Sequence, residues 1–265
     1  MAYIFLRELK ANFKSLLIWS IIIILLVTIS AAKFAAFAGN PEMLSILEMM
    51  PPEVMDAMNM RAFNLTTLSG FFGVLFLFFA LMGAIAAAMW GTTIISKEER
   101  DKTVEFSLVL PVSRSRVITA KALAALVYCI AFVLFTWLAT LVAVRTYNPD
   151  PAFHDFLALG MQAMFLIELI FLAIGLLLGC AMKHYKRSGS TAVAIILTAY
   201  FIFIITGMQE NLEFLKYFTP FKYFDAGDLL RSGKLDGTYL LLSVLIIITC
   251  MVMAYWTYNR RDLYI

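Results

Sequence analysis

The sequence predicts an all-α membrane protein with six transmembrane helices. Of its 265 residues, 62% are hydrophobic and only 15% are charged, and the mean hydropathy is +0.87. This is more apolar surface than one soluble core can bury. Six apolar runs each have the roughly 20 residues that an α-helix needs to cross a hydrocarbon core. The predicted spans are residues 16–32, 70–95, 122–144, 156–182, 191–208 and 239–258.

The first fifteen residues predict an amphipathic elbow helix that lies in the headgroup plane. Leu6, Leu9 and Phe13 recur at helical spacing, whereas Arg7 and Lys10 lie on another side of the helix. The alternative is that these residues simply begin a long first span.

The connection after the first span, residues 33–68, is a loop with short helices and is rich in methionine. Its methionines could be soft ligands for a monovalent copper ion. They are interleaved with Leu44, Ile46, Leu47 and Val54, which is more typical of the adaptable apolar face of an interfacial helix, so we predict no metal site. The methionines are Met43, Met49, Met50, Met55, Met58 and Met60.

The connection between the fifth and sixth spans, residues 209–238, has moderate hydrophobicity and mixed charge and is interrupted by Pro220. It is too short and too polar to span, which predicts interfacial or re-entrant helices. In the fourth span, Gly175 and Gly179 form a small-xxx-small pattern that favours close contact with another helix, and is weak support for a dimer face.

The distribution of Lys and Arg predicts the orientation. Fourteen of the 21 lie at the N-terminus, in the connections after the second and fourth spans, and at the C-terminus. By the positive-inside rule both termini are cytoplasmic, as expected for a multi-pass protein in the cytoplasmic (inner) membrane of a prokaryote. Eleven of the eighteen acidic residues lie in the other three connections, which supports this orientation only weakly because acidic residues contribute little to it.

The densest group of charges lies between the second and third spans. Ten charged residues fall within the 25 positions of 97–121. We predict that residues 98–102 extend the second helix into the cytoplasm, and that Pro111 breaks the chain before the third span. From the charge pattern alone, residues 97–118 are either a solvated loop or a contact surface for a soluble partner.

No catalytic constellation is visible, and we predict that the chain is not an enzyme. His154 and His184 fall at opposite membrane faces, and the three cysteines have no paired spacing, so no metal site is indicated. The nearest match to a phosphate loop is residues 227–233, which have five residues between two glycines where the motif has four. The next residue, Lys234, is followed by Leu235 where the motif has Ser or Thr. The net charge of +3 is too small and scattered to indicate nucleic acid.

Glu168 is the ionisable residue predicted near the centre of a span. A carboxylate there costs at least a few kcal/mol, so it should be protonated, paired or facing water. The first two states describe a packing residue, and the third describes a contact on a translocation path.

The charged segment resembles the signature of permease subunits of type-2 ATP-binding cassette (ABC-2) exporters. That family has a Glu, a small-Thr-hydrophobic-Glu step, a Pro-Val/Ile-Ser/Thr-Arg turn and a Lys between the second and third spans. One departure is Lys102, where the family usually has Gly. The matching positions here are Glu99, Lys102-Thr103-Val104-Glu105, Leu108, Pro111-Val112-Ser113-Arg114, Val117-Ile118 and Lys121.

The resemblance covers the whole chain. Thr219 to Phe224 is similar to the family's Ser-Pro-Phe-aromatic step, and Tyr258, Arg260 and Arg261 close the sixth span as in the family. It implies a single six-helix domain over residues 1–265, which pairs with a second permease copy in a homodimer or heterodimer. It also implies two separate soluble ATPase subunits, with ATP and Mg bound there and no cofactor in this chain.

By the same resemblance, residues 97–118 contain the coupling helix that docks on the ATPase. The expected partner-binding residues are Glu98, Glu99, Arg100, Lys102, Thr103, Glu105, Pro111 and Arg114. ATP binding and hydrolysis in the partner would then drive substrate across the membrane. The alternatives are a secondary transporter or channel, a membrane-embedded hydrolase, and a non-transporting membrane regulatory subunit.

Overall fold

The computed structural model describes residues 2–40, 49–51, 54–55, 60, 63–101, 112–182, 184–208 and 210–260. Within these ranges the chain is α-helical with two short 3₁₀ segments and no strand. Six helices are long and apolar enough to cross a membrane, which confirms the predicted fold class. In chain order the helices are α1 (Ala2–Phe34), α2 (Leu68–Arg100), α3 (Arg114–Val144), α4 (Pro151–Ala181), α5 (Tyr185–Met208), α6 (Pro220–Tyr223), α7 (Ala226–Ser232) and α8 (Gly237–Arg260).

A separate elbow helix is not confirmed, because α1 is one helix of 33 residues. No Pro or Gly interrupts it, so nothing breaks its backbone hydrogen bonds between the polar start and the apolar run. At 1.5 Å per residue it is about 50 Å long, which exceeds a hydrocarbon core of about 30 Å. Residues 2–15 therefore extend the first span, as in the alternative stated above.

The centre of the bundle is the contact between α2 and α4, the two most buried spans. Glycines let their backbones approach closely. A methyl group added at Gly175 would lie 2.5 Å from the Ala88 carbonyl oxygen, and one at Gly91 would lie 2.7 Å from that of Leu172. Gly179 likewise faces α2, so the predicted small-xxx-small pattern is used for packing within one copy of the chain.

Local side-chain chemistry fixes where the central helices begin. The Thr67 hydroxyl accepts a hydrogen bond from Gly70 N at 3.2 Å, and the Asp150 carboxylate accepts one from Phe153 N at 2.9 Å. These side chains satisfy backbone donors that a helix start leaves without intrahelical partners. Pro151 occupies the first turn of α4, where the missing N–H costs nothing.

The connection between α5 and α8 folds back into the bundle. It contains a 3₁₀ helix at Glu210–Phe218, then α6 and α7. The fully buried Thr219 donates its hydroxyl hydrogen to the Ala199 carbonyl at 2.7 Å. Ala199 lies nine residues before the end of α5, so this contact is about 13 Å below that end. The predicted short helices are present, and Thr219 to Phe224 forms a re-entrant tip.

Aromatic packing holds the re-entrant tip between the spans. Phe221 is buried against Phe171 of α4, with ring centroids 5.5 Å apart, and Tyr223 stacks on Tyr239 of α8 at 5.1 Å. Such ring pairs add to the free energy gained by burying their area. The outer helices α1, α5 and α8 leave large apolar side chains exposed, as expected for surfaces that face lipid.

Candidate functional site

Glu98, on the last turn of α2, joins three helices through ion pairs. One of its carboxylate oxygens lies 2.7 Å from the Arg7 guanidinium of α1, and the other lies 3.2 Å from the Lys121 ammonium of α3. Arg7 also pairs with Glu8 at 3.0 Å, and Lys121 donates to the Ile94 carbonyl at 2.8 Å. We call Arg7, Glu8, Glu98 and Lys121 the Glu98 cluster.

The Glu98 cluster is buried and balanced in charge, with two cations and two anions. Lys121 is 0% exposed, Glu8 is 2% exposed and Glu98 is 8% exposed. Only the Arg7 side chain reaches water substantially, at 39%. Burying a lone charge costs several kcal/mol, so these groups depend on one another for their burial.

Further hydrogen bonds attach the start of α1 to the same place. The Asn12 amide donates to the Glu8 carboxylate at 3.3 Å, and the Tyr128 hydroxyl of α3 donates to the backbone carbonyls of Glu8 and Leu9. Two turns after Glu8 in α1, the Ser15 hydroxyl accepts a hydrogen bond from the Trp90 indole of α2 at 3.0 Å. Residues 2–15 are thus held against α2 and α3 by polar contacts.

The start of α3 is tied to a fourth helix. The Arg114 guanidinium donates to the Tyr258 carbonyl of α8 at 3.3 Å, and the Asn259 amide donates to the Ser115 hydroxyl at 3.1 Å. The Thr119 and Tyr255 hydroxyls share a hydrogen bond of 2.7 Å. Both helices that flank residues 102–111 are therefore anchored, α2 to α1 and α3, and α3 to α8.

The predicted partner-binding residues fall into two groups. Glu98 is buried in intramolecular ion pairs, Arg114 is bonded to α8, and Glu99 and Arg100 lie on the last turn of α2. Lys102, Thr103, Glu105 and Pro111 lie outside the described residues, as do Met43 and Met58 of the methionine-rich loop.

Asp101 closes α2 at the edge of this region. The Arg100 guanidinium donates to its carboxylate at 2.9 Å, which holds the pKa of Asp101 below its ordinary value. Its side chain is 42% exposed, so this residue presents a negative charge to solvent beside the Glu98 cluster.

Glu168 lies in the core of one copy, between α4, α2 and α3. It is 0% exposed, and neither carboxylate oxygen has a hydrogen-bond partner among the described residues. Its side chain lies against Gly83, where an added methyl would come within 2.7 Å of a carboxylate oxygen. The Cys129 thiol of α3 lies beside it.

Sequence reasoning missed the roles of Glu8 and Lys121 as buried members of one cluster. A signal was present for Glu8, which repeats at i and i+4 with Ile4, Asn12 and Leu16. Ile4, Glu8 and Leu16 are buried, whereas Leu6 and Phe13 of the predicted apolar face are 54% and 52% exposed. A carboxylate on an otherwise packed helix face predicts a buried partner.

The described residues hold no group of three or more His, Cys, Asp or Glu that could bind a metal ion. The geometry defines a multi-pass helical membrane protein whose Glu98 cluster lies at the end where α1 begins and α8 ends. Residues 2–263 match the model of the family described as ABC-2 family transporter protein, so the chain belongs to the ABC-2 transporter family. No curated protein matches the chain.

Proposed function

We propose that this chain is the permease subunit of an ATP-driven exporter, and that it couples ATP binding and hydrolysis in a separate ATPase to substrate movement. The family membership supports a transporter. The observation that supports coupling is the Glu98 cluster, whose ion pairs join three helices near the end of α2, just before residues 102–111.

The proposed coupling is mechanical. A soluble ATPase that pushes on residues 102–111 displaces the end of α2 and the start of α3. Because Glu98 is paired with Arg7 and Lys121, and Arg114 is bonded to α8, the displacement is passed to α1 and α8 as well. Buried ion pairs resist separation, so the helices move together as rigid bodies.

In this assembly two permease copies form the path, and two ATPase subunits bind at the cytoplasmic end that carries both termini. ATP and Mg are held by the ATPase subunits. Of the predicted contact residues, Glu99, Arg100, Lys102, Thr103 and Glu105 meet the ATPase. Glu98 and Arg114 position that surface through their contacts inside the chain.

Glu168 stays a predicted contact on the translocation path. Its unpartnered oxygens give it hydrogen-bonding capacity that the described residues do not use. A substrate or a water molecule that reaches Glu168 would use that capacity.

Co-purification tests the proposal. The tagged chain is expressed with candidate ABC ATPases from its own genome, and charge is reversed at Glu99 and Glu105. We expect the ATPase to co-purify with the unchanged chain and to be lost from the Glu99→Lys/Glu105→Lys variant. Asp236→Lys is the control, since Asp236 is exposed at the opposite end of the bundle. Stable isolation of an unchanged chain without any ATPase contradicts the proposal.

A further inference from the structure

A lateral cavity of about 500 Å³ lies between α4, α5 and α8 beneath the re-entrant tip. We propose that it binds one acyl chain of an anionic phospholipid, with the phosphate at Arg187. The proposal does not depend on ATP-driven transport. The residues of the wall that bear on it are Ile174, Thr191, Ile195, Thr198, Pro220 and Ile246.

The wall of the cavity favours an apolar occupant. The Thr198 hydroxyl donates to Ala194 O of its own helix at 2.8 Å, and the Tyr223 hydroxyl donates to the Tyr217 carbonyl. These groups therefore have little to offer a polar ligand, which would lose its hydrogen bonds to water on entering. The volume falls in the range of about 300–1,000 Å³ that is typical of ligand pockets.

The cavity opens sideways, where the hydrocarbon of a bilayer surrounds the spans. Ile195 on α5 is 37% exposed and Phe218 at the ceiling is 67% exposed. The re-entrant tip closes the cavity at one end, with Pro220 and Tyr223 forming part of its lining. An extended hydrocarbon chain that lies along α5 fits this shape, since it enters from the side and stops beneath the tip.

The cation Arg187 lies on the face of α5 that lines the cavity, at the end away from the re-entrant tip. Arg187, Thr191, Ile195, Thr198 and Ile202 follow one another at spacings of three and four, so they share one face of α5. Arg187 is exposed and precedes Thr191 by one turn, a rise of about 6 Å along the helix. A phosphate at Arg187 therefore places its acyl chain at the mouth of the cavity.

The charge decides between a lipid and a second copy of the chain. An apolar helix of a partner copy would fill the cavity but bring no anion to Arg187. A phospholipid supplies both an apolar chain for the cavity and an anion for Arg187. Anionic lipids are concentrated on the cytoplasmic side of the membrane. The distribution of Lys and Arg predicts that the Arg187 end of α5 lies on that side.

Photolabelling of the full chain in nanodiscs tests the proposal. The probe is phosphatidylglycerol with a diazirine at the end of one acyl chain, and mass spectrometry locates the adducts. We expect adducts to concentrate on Ile174, Ile195 and Ile246, well above Leu245, a lipid-facing residue of α8 that is 52% exposed. Ala194→Trp and the milder Thr198→Leu fill the cavity and should lower this labelling, whereas Leu245→Trp should not.

The headgroup contact is tested with competing probes. Arg187→Gln should lower the preference for phosphatidylglycerol over phosphatidylcholine by roughly fivefold, the effect of one cation near an anionic surface. Lys14→Gln, another exposed cation predicted at the same membrane face, is the control and should leave the preference unchanged. Labelling equal to that of Leu245, or unaltered in both filled variants, overturns the proposal. Disulfide crosslinking of Ala194→Cys between two copies also overturns it.

Discussion

Neutralising Glu98 tests the Glu98 cluster most severely. The Glu98→Gln variant keeps the side-chain shape but leaves Lys121, which is 0% exposed, without its anion. Removing one partner of a buried ion pair costs about 3–5 kcal/mol, because the remaining charge stays buried and uncompensated. Arg7 contributes little to this cost, since its side chain is 39% exposed and can turn to water.

The free energy of unfolding is measured by titrating the purified chain with SDS in mixed micelles and following its tryptophan fluorescence. Lys121→Met and the double variant Glu98→Gln/Lys121→Met complete a double-mutant cycle. The double variant should be less destabilised than the sum of the two single ones, by on the order of 1–3 kcal/mol.

Asp228→Asn is the matched control for that cycle. Asp228 pairs with Arg231 at 2.6 Å, but the two side chains are 56% and 67% exposed, so its loss should cost less than about 1 kcal/mol. A cost for Glu98→Gln no larger than this control, or strict additivity in the cycle, would refute the reasoning.

Three further predictions concern packing and the path. Gly175→Ala should destabilise the chain by about 1–3 kcal/mol, since the added methyl meets the Ala88 carbonyl at 2.5 Å, whereas Gly237→Ala meets nothing within 4 Å and should not. Thr219→Val removes the buried hydrogen bond to Ala199 and should cost about 1 kcal/mol more than Thr28→Val, an exposed threonine bonded within its own helix. Both are measured by the same SDS titration, and equal effects in variant and control would contradict them. Glu168→Ala should lower substrate transport in proteoliposomes if Glu168 contributes to the path, and full transport in this variant removes it from the path.

The six spans were predictable because each is an uninterrupted apolar run of sufficient length, and the structure confirms all six. The position of the first fifteen residues could not be predicted from the sequence. Their apolar spacing is compatible with a surface helix and with the start of a span, and only packing against α2 and α3 distinguishes the two. The re-entrant tip was predictable as a short, partly polar connection, but its depth depends on the contact between Thr219 and Ala199.

The Glu98 cluster could be predicted only in part. The density of charged residues between Lys97 and Lys121 predicts that this segment is functionally important, and it includes both Glu98 and Lys121. Which cation pairs with which anion depends on how α1 lies against α2 and α3, since Arg7 and Glu98 are distant in the chain. Their burial also reverses an expectation, because a charge in a hydrophilic segment is ordinarily solvated.

Site-specific crosslinking to the ATPase tests the central claim most directly. A single cysteine is placed at Asp101, which is exposed beside the Glu98 cluster, or at Asp236, which is exposed at the start of α8 on the opposite end. Cys250, which is only partly buried, is replaced by Ser, and the buried Cys129 and Cys180 remain as the unreactive background. The reagent is a maleimide that carries a benzophenone, which bonds to the introduced thiol and, on irradiation, inserts into a C–H bond of a neighbouring protein. Coupling at the predicted cytoplasmic end gives an ATPase adduct from Asp101→Cys and none from Asp236→Cys. An adduct from Asp236→Cys, or none from Asp101→Cys in a complex that still contains the ATPase, contradicts the account.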